Sequence, residues 1–374
     1  MAPGHRSILI AGAGTTGLTV ALELARRGFR PRVVDNDVGP VPLAESRALG
    51  VNARTLTLLG PSRVTDAILQ EAQQIAQFRA TSEGHRLATV DTTKLPGRFS
   101  AIYALAQGHT ERLLLSKLDD YEVDPEWQTA IEKVSGDAKP VVTLRKPDGT
   151  VETATFDIVI GADGAHSVVR KAVGIGFPGE ALESSFYLAD FRYKKEIDPH
   201  FIEMQLVDPG MIGRIPVERD VLRFISTLPD FEAKIVHPGP VAERLWASEF
   251  RIHFRHVETM AKGNVFLAGD AAHIHSPAGA RGMNLGIEDA CWLAYLISEG
   301  RESEYSRLRL PAVKTVLKQT RQLTRLIAMR NRLAISIRNL AVPVLFRLPA
   351  FQRRLLTGVA GYDTPPPPWI DGAL

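Results

Sequence analysis

Apolar and polar positions fall into three textures along the chain. In the first, short unbroken apolar runs precede stretches of helical period. SILIAGAG (7–14) reads as a buried strand, TTGLTVALELARRG (15–28) as a helix ending at Gly28, and RPRVVD (30–35) as a second strand. That succession is a βαβ unit, the start of a parallel α/β sheet with a right-handed crossover. From about residue 71 to 104 the pattern weakens into short alternating pieces. A helix returns at HTERLLLSKLDDY, and VVTLRKPDGTVETATFDIVIGAD predicts a hairpin turned at Asp148 and Gly149 that runs into another buried strand. The second texture covers residues 177–255, where FYLADFRY, FIEMQLV, MIGRIPVE and VLRFISTL are strand-like runs separated by turns, a mostly antiparallel sheet of its own. NVFLAGD then predicts one more buried strand and GMNLGIEDACWLAYLIS one more helix. The third texture is helical to about Val359, interrupted at Pro343 and Pro349, before a stiff extended PPPPW. No repeats or low-complexity linkers are visible.

Composition narrows this picture only slightly. With 374 residues, 45% hydrophobic and 23% charged, the chain suits one large or two intergrown soluble domains. The opening MAPGHRSILIAGAG could also be read as a secretory leader. GAGTTG breaks its apolar core, however, and Glu23, Arg26 and Arg27 follow without a clean cleavage site. The single cysteine, Cys291, excludes an intrachain disulfide and fits a reducing, cytoplasmic setting. Repeating with Ile287, Ala290 and Ala294 at helical spacing, it reads as core.

A net charge of +3 gives no argument for nucleic acid. The charge is uneven: residues 301–354 hold thirteen Lys or Arg against Glu302 and Glu304, so +11 there and −8 elsewhere. Such a basic tail could rest on a membrane or an acidic partner. The plainer reading is a solvated helix face packed by its Leu and Ile stripe, and no apolar run approaches the ~20 residues of a membrane span.

Gly12-Ala13-Gly14-Thr15-Thr16-Gly17 fits GxGxxG in the required place, after a strand and opening a helix. Gly12 permits the tight turn, Gly14 lets the backbone approach a pyrophosphate, and Gly17 lets helix and strand pack closely. Asp35 ends the second strand, where an acid accepts ribose hydroxyls and disfavours a 2′-phosphate. The dinucleotide is therefore FAD or NAD. The second half of the chain decides: Gly269-Asp270 ends a buried strand, then a Pro/Gly loop leads into a helix. An aspartate there suits a ribityl chain, and the helix N-terminus after Gly282 would face the negative charge of a reduced flavin. That selects FAD.

These pieces together resemble the flavoprotein aromatic hydroxylases, the single-component FAD monooxygenases of the p-hydroxybenzoate hydroxylase type, and most closely the branch acting on aromatic polyketides and substituted phenols. The matching segments are GAGTTG with Asp35, SRALGVNARTLTLL, Gln107 in AQGHTERLLL, DIVIGADGAHSVVR, FRIHFRH and LAGDAAHIHSPAGARGMNLGIEDA. The resemblance implies a Rossmann-like FAD-binding domain with C-terminal helices over 1–74, 105–176 and 262–374. A mostly antiparallel substrate domain, 75–104 and 177–261, is inserted into it. It assigns Gly12, Gly14, Thr16 and Gly17 to the pyrophosphate turn, Asp35 to the adenosine ribose, Arg47 to the cofactor and Gln107 to the ribityl chain. Asp163 and Gly164 belong to a motif serving both FAD and the nicotinamide nucleotide; a plain turn is the duller reading. Asp270 should hold the ribityl side, Pro277 should lie beside the flavin ring, and Met283 and Asn284 should present backbone amides to its pyrimidine edge.

Two departures stand out. Related proteins commonly read Gly-Gly-Gln where this chain has Gly279-Ala280-Arg281. Ala280 narrows the backbone angles open to the loop, while Arg281 adds a cation that either tunes the flavin or contacts an anionic substrate. His273 and His275 flank this loop and invite a general-base role, although histidines satisfying backbone groups are commoner. Tyr103, Phe191, Phe201, Met204 and Phe224 are candidates for the apolar wall of the substrate pocket.

The implied activity is hydroxylation of an electron-rich aromatic ring: NADPH or NADH reduces non-covalently held FAD, oxygen adds at the flavin C4a, and one oxygen atom passes to substrate. No catalytic side chain and no metal is then required. The expected partners are the small aromatic substrate and O2, with the chain a monomer or homodimer. The thioredoxin-like domain of larger relatives is not expected after PPPPWIDGAL. A flavin halogenase shares the fold, but a W-x-W pair is absent among Trp127, Trp246, Trp292 and Trp369. A flavin dehydrogenase without oxygen insertion, or a flavin-bearing partner with little turnover of its own, stays open.

Overall fold

The computed structural model describes residues 6–43, 48–82, 84–95, 97–207, 210–329 and 331–370. Four strands distant in sequence lie side by side in parallel: Arg32–Val34, Ile8–Ala11, Ile158–Gly161 and Val265–Leu267. A short antiparallel strand, Ala261–Lys262, closes one edge. Ile8 pairs with Ile158, and Val159 with Val265. Every residue of the Ile8–Ala11, Ile158–Gly161 and Val265–Leu267 strands is buried. Their apolar runs therefore do not alternate, as a parallel sheet covered on both faces requires.

The helices are α1 (Thr15–Ala25), α2 (Ala53–Leu59), α3 (Val64–Glu71), α4 (Gln107–Leu118), α5 (Val168–Ala172), α6 (Gly282–Ser298), α7 (Tyr305–Ile327), α8 (Arg332–Leu345) and α9 (Pro349–Ala360). The chain leaves α1 through Gly28 at φ +86°, the left-handed position that favours glycine. α1 and α6 are buried along almost their whole length and share one core with the parallel sheet. Cys291 lies in that core with Ile287, Ala290 and Ala294, and burial pushes its thiol well above the ordinary range.

The expected hairpin forms between Val141–Arg145 and Val151–Thr155, with Gly149 at φ +83° and Asp148 accepting the Thr150 amide at 2.8 Å. A third strand that the pattern did not single out, Ala130–Ser135, completes that small sheet.

The larger sheet has eight strands in the order His273–Ile274, Val241–His256, Gly179–Tyr193, Val221–Ser226, Gly210–Pro216, Phe201–Val207, Gln77–Ser82 and His85–Asp91. All neighbours are antiparallel except Phe201–Val207 with Gln77–Ser82. Side chains alternate across its two faces. On one face Met204, Leu206 and Met211 pack with Ala278 and with Leu323 and Ile327 of α7. On the other, Ala189, Phe191, Leu222 and Phe224 pack with Tyr193 and Phe231.

The C-terminal helices differ from expectation at two points. α8 runs through Pro343, and the break falls at 346–348, where Pro349 takes the first turn of α9, a position that needs no amide. The apolar stripe of α7 is packed through Val313, Val316 and Leu317, but that of α8 is not: Leu333, Ile337 and Leu340 are 71%, 60% and 78% exposed.

Candidate functional site

The glycine turn is shaped by what each position can hold. A Cβ at Gly12, itself at φ +100°, would come within 2.3 Å of the Ala162 carbonyl oxygen; one at Gly17 would meet the Gly12 oxygen at 1.8 Å. Gly14 is different: a Cβ there would meet only Glu111 Oε1, at 3.8 Å. Gly12 thus seats the turn on Ala162, Gly17 closes it on Gly12, and Gly14 leaves its outer side open, the cradle that close approach of a phosphate needs. Asp35 Oδ2 accepts the Ala13 amide at 2.5 Å and Oδ1 the Asp37 amide at 2.8 Å, so this acid shapes the turn.

Glu111, one turn after Gln107 on α4, escaped the sequence reading. Its buried carboxylate accepts from Val41 N–H and Gln107 Nε2, each at 2.9 Å, and from the Thr15 amide. Burial pushes its pKa up, partly offset by those hydrogen bonds. The only available signal was the i, i+4 spacing to Gln107. Thr16 is wedged between helices: a Cβ at Gly286 would lie 2.4 Å from its hydroxyl, and one at Gly269 2.5 Å. The Gly-rich turn, the Gly-Asp motif and the first turns of α6 therefore meet at one residue. Asp270 stands exposed beside this contact.

α6 opens with no side-chain cap and no acid in its first turn. Its first intrahelical bond runs from Leu285 N–H to the Arg281 carbonyl, so the amides of Gly282, Met283 and Asn284 precede any internal partner. The Asn284 side chain holds the loop before it. Nδ2 donates to Gly50 O (2.8 Å) and Ala280 O (2.6 Å), while Oδ1 accepts from Asn52 N–H (2.9 Å) and Thr55 Oγ1 (2.7 Å). Ala280 adopts φ +52°, a left-handed conformation that costs an alanine about 1 kcal/mol. Pro277 is exposed and its carbonyl accepts the Ala280 amide at 2.9 Å.

Arg281 does not point to an open pocket. It is 5% exposed, with Nη2 2.8 Å from Asp363 Oδ1 and a hydrogen bond from Nη1 to Oδ2 at 3.1 Å. This corrects its placement on the substrate: its charge is already met by a carboxylate from the C-terminal segment.

The histidines separate. His273 is buried, with Nε2 2.6 Å from Asp289 Oδ2; Asp289 in turn accepts from Arg309 Nε at 2.8 Å, and Arg309 also donates to Glu288. Burial works against the Asp289 anion, but Arg309 and His273 outweigh it and hold its pKa below the ordinary value. This is a buried ionic network behind the Gly-Asp motif. His275 places Nδ1 2.8 Å from the Ser276 carbonyl, so that nitrogen carries the proton. Burial pushes its pKa down to about 4. Its Nε2 is a buried acceptor without a donor. At neutral pH this ring accepts a hydrogen bond and is too weakly basic for a general base.

Asp163 serves as a helix cap. Ser167 Oγ donates to its Oδ1 at 2.5 Å, and the Val168 and Val169 amides reach Oδ2 at 2.7 and 3.1 Å. Gly164 follows at φ +73°. Arg170, seven residues after Asp163, joins this motif to the Gly-Asp motif by donating to Ala165 O and Ala271 O, both at 2.8 Å, over the Phe177 ring. Arg47 lies outside the described residues.

Of the apolar wall candidates, Met204 lies on the sheet face beside Ala278. Phe191 and Phe224 do not: they pack edge to face at 6.0 Å on the opposite face, against His237. Phe201 is on that face too, between the guanidinium groups of Arg79 (3.7 Å) and Arg214 (4.3 Å). Strand parity moves all three away from the loop at Ala278. Tyr103 is half-buried on the Ile102–Ala104 strand, paired with Val51 and Gln74.

The residues at this site fit FAD: an open glycine cradle with an acid beside it at the end of the second strand, a second helix N-terminus without an acid, and an unpaired buried acceptor at His275. The chain is similar to 6-methylpretetramide 4-monooxygenase of Streptomyces rimosus, 32% identical over 87% of this chain and 63% of that protein. It is also similar to pentachlorophenol 4-monooxygenase of Sphingobium chlorophenolicum, 31% identical over 85% and 65%. It spans slightly under two thirds of the length of these relatives. Among solved structures, anhydrotetracycline hydroxylase from Streptomyces rimosus superposes with a TM-score of 0.81 at 27% identity, covering 98% of this chain and 78% of that one. The p-nitrophenol 4-monooxygenase of Pseudomonas putida reaches 0.86 at 21% identity, covering 96% and 98%, which speaks to the fold. The profile of the FAD-binding domain family matches residues 5–223 and 227–320, and the chain belongs to that family, with FAD as its cofactor.

Proposed function

We propose that this protein is a FAD-dependent monooxygenase that hydroxylates a small aromatic molecule, phenolic or polyketide-derived, with NADPH or NADH as transient reductant and O2 as co-substrate. The observation that carries the reading is the meeting of the glycine turn, Gly269-Asp270 and the uncapped start of α6 around Thr16. The names of the relatives above support it.

When bound, FAD supplies the electron transfer and oxygen chemistry. The chain's part is position and dryness. Amides near Gly14 and Thr16 take the pyrophosphate, Asp35 the ribose, and Gln107 and Asp270 the ribityl side. The free amides of Gly282, Met283 and Asn284 face the pyrimidine edge, where the helix N-terminus favours negative charge. Met204, Leu206 and Met211 furnish an apolar surface opposite the loop at Ala278, which excludes water from the reacting face. His275, neutral under these conditions, offers only a hydrogen-bond acceptor.

The test is purified protein with NADPH or NADH, O2 and a panel of phenols and polyketide phenols, followed by mass spectrometry. A gain of one oxygen atom is expected. Turnover that continues without O2 would assign a dehydrogenase instead, and protein that takes up no flavin would overturn the reading altogether.

A further inference from the structure

The end of α9 and the chain that follows it, residues 358–370, contact Arg281, α2 and α6. Asp363 pairs with Arg281, and Arg281 Nη1 also donates to the Gly358 carbonyl. Arg54 of α2 donates to the carbonyls of Gly361 (3.4 Å) and Thr364 (3.2 Å), with the Tyr362 ring 5.2 Å from its guanidinium. Thr364 Oγ1 donates to Glu288 of α6 at 3.2 Å, and Trp369 stacks on Tyr295 at 4.3 Å. The seat is close: a Cβ at Gly361 would fall 2.8 Å from Arg54 Cβ, and one at Gly97 2.7 Å from the Tyr362 hydroxyl.

We infer that Asp363 is a positioning residue that fixes Arg281 and cancels its charge at the N-terminus of α6, and so sets the reduction potential of the bound flavin. The inference rests on the reading that FAD occupies this site. Arg281 is the residue immediately before α6, and its side chain is almost wholly withdrawn from water. An unpaired guanidinium there would add to the positive end of the helix and, screened little by solvent, would favour the anionic reduced flavin over the oxidised one. The Asp363 carboxylate offsets that bias. The same pair anchors the residue after Ala280, whose left-handed backbone persists only where its surroundings hold it.

The measurement is the midpoint potential of bound FAD, by equilibrium reduction against a reference dye, in the parent protein, Asp363→Asn, Arg281→Gln and the double variant. Asp363→Asn should raise the potential, increasing the ratio of reduced to oxidised flavin several-fold at the parent midpoint. Arg281→Gln should lower it, and the double variant should return close to the parent. Shifts of the same sign in both single variants would show loosening of the loop rather than charge and would overturn the inference, as would no shift in either. Where a neutral variant loses FAD, Asp363→Glu and Arg281→Lys keep the charges: both should hold the parent potential, and a displaced one overturns the inference. A parent protein without a flavin spectrum defeats the FAD reading itself, an outcome distinct from unshifted variants.

Discussion

Two helix N-termini meet at Thr16, and they are built in opposite ways. At α1 glycines and carboxylates do the shaping: Gly12 packs on Ala162 and Gly17 on Gly12, and Asp35 and Glu111 accept the amides of Ala13 and Thr15. At α6 there is no acid, the loop residue Ala280 is left-handed, and side chains from distant segments do the holding, Asn284 on residues 50–55 and Arg281 on Asp363. The first is laid out by six consecutive residues, with Asp35, Glu111 and Ala162 closing round them. The second exists only once three segments of the fold have come together.

The sharpest way to break the first is Gly17→Ala. With its Cβ 1.8 Å from the Gly12 oxygen, the turn must open. We expect loss of about 4 kcal/mol or more and purification without flavin, read by denaturant unfolding and absorbance. Asn284→Ala breaks the second. It removes four hydrogen bonds from a buried side chain and leaves the Asn52 amide without its partner. A loss of about 3 kcal/mol is expected in urea unfolding of the flavin-free protein.

Acid probes the second terminus through His275. Its pKa is about 4 in the folded protein, against about 6.5 unfolded, so the unfolded chain takes up a proton first as pH falls. Stability should therefore be complete above pH 6.5 and decline by roughly 3 kcal/mol down to pH 4, a slope that His275→Gln should remove. Glu111→Ala strips three donors of their acceptor at the first terminus. About 2 kcal/mol is expected, with FAD affinity reduced at least tenfold by fluorescence titration. The smallest effect is Ala280→Gly, which relieves the left-handed alanine and should raise the unfolding midpoint by about 0.5 kcal/mol in free energy.

This contrast also explains what could be read from the sequence. The βαβ unit and its glycines were legible because spacing and strand context lie within thirty residues. The Gly-Asp motif was legible for the same reason, and the resemblance joined the two. Strand parity in the second sheet was not, since Phe191, Phe201 and Phe224 look the same on either face until bulges and pairings fix the register. Nor could Asp363 have been matched to Arg281, 82 residues earlier. No periodicity links them, and only the return of the chain after α9 brings the carboxylate to the guanidinium.

The parallel sheet sets an order of events on the ribosome. Its inner strand Ile8–Ala11 lies between a neighbour supplied within about twenty residues and the middle strand, which arrives only at Ile158 and whose other flank waits for Val265. The segment that clasps Arg54 and Arg281 comes about a hundred residues after that. Early-made strands must therefore persist as an open edge, exposed to pairing with other chains, and the high proportion of long-range contacts predicts slow maturation. FAD added during translation would find a glycine turn but no second helix end to close on, so cofactor capture should follow completion of the chain rather than accompany its synthesis.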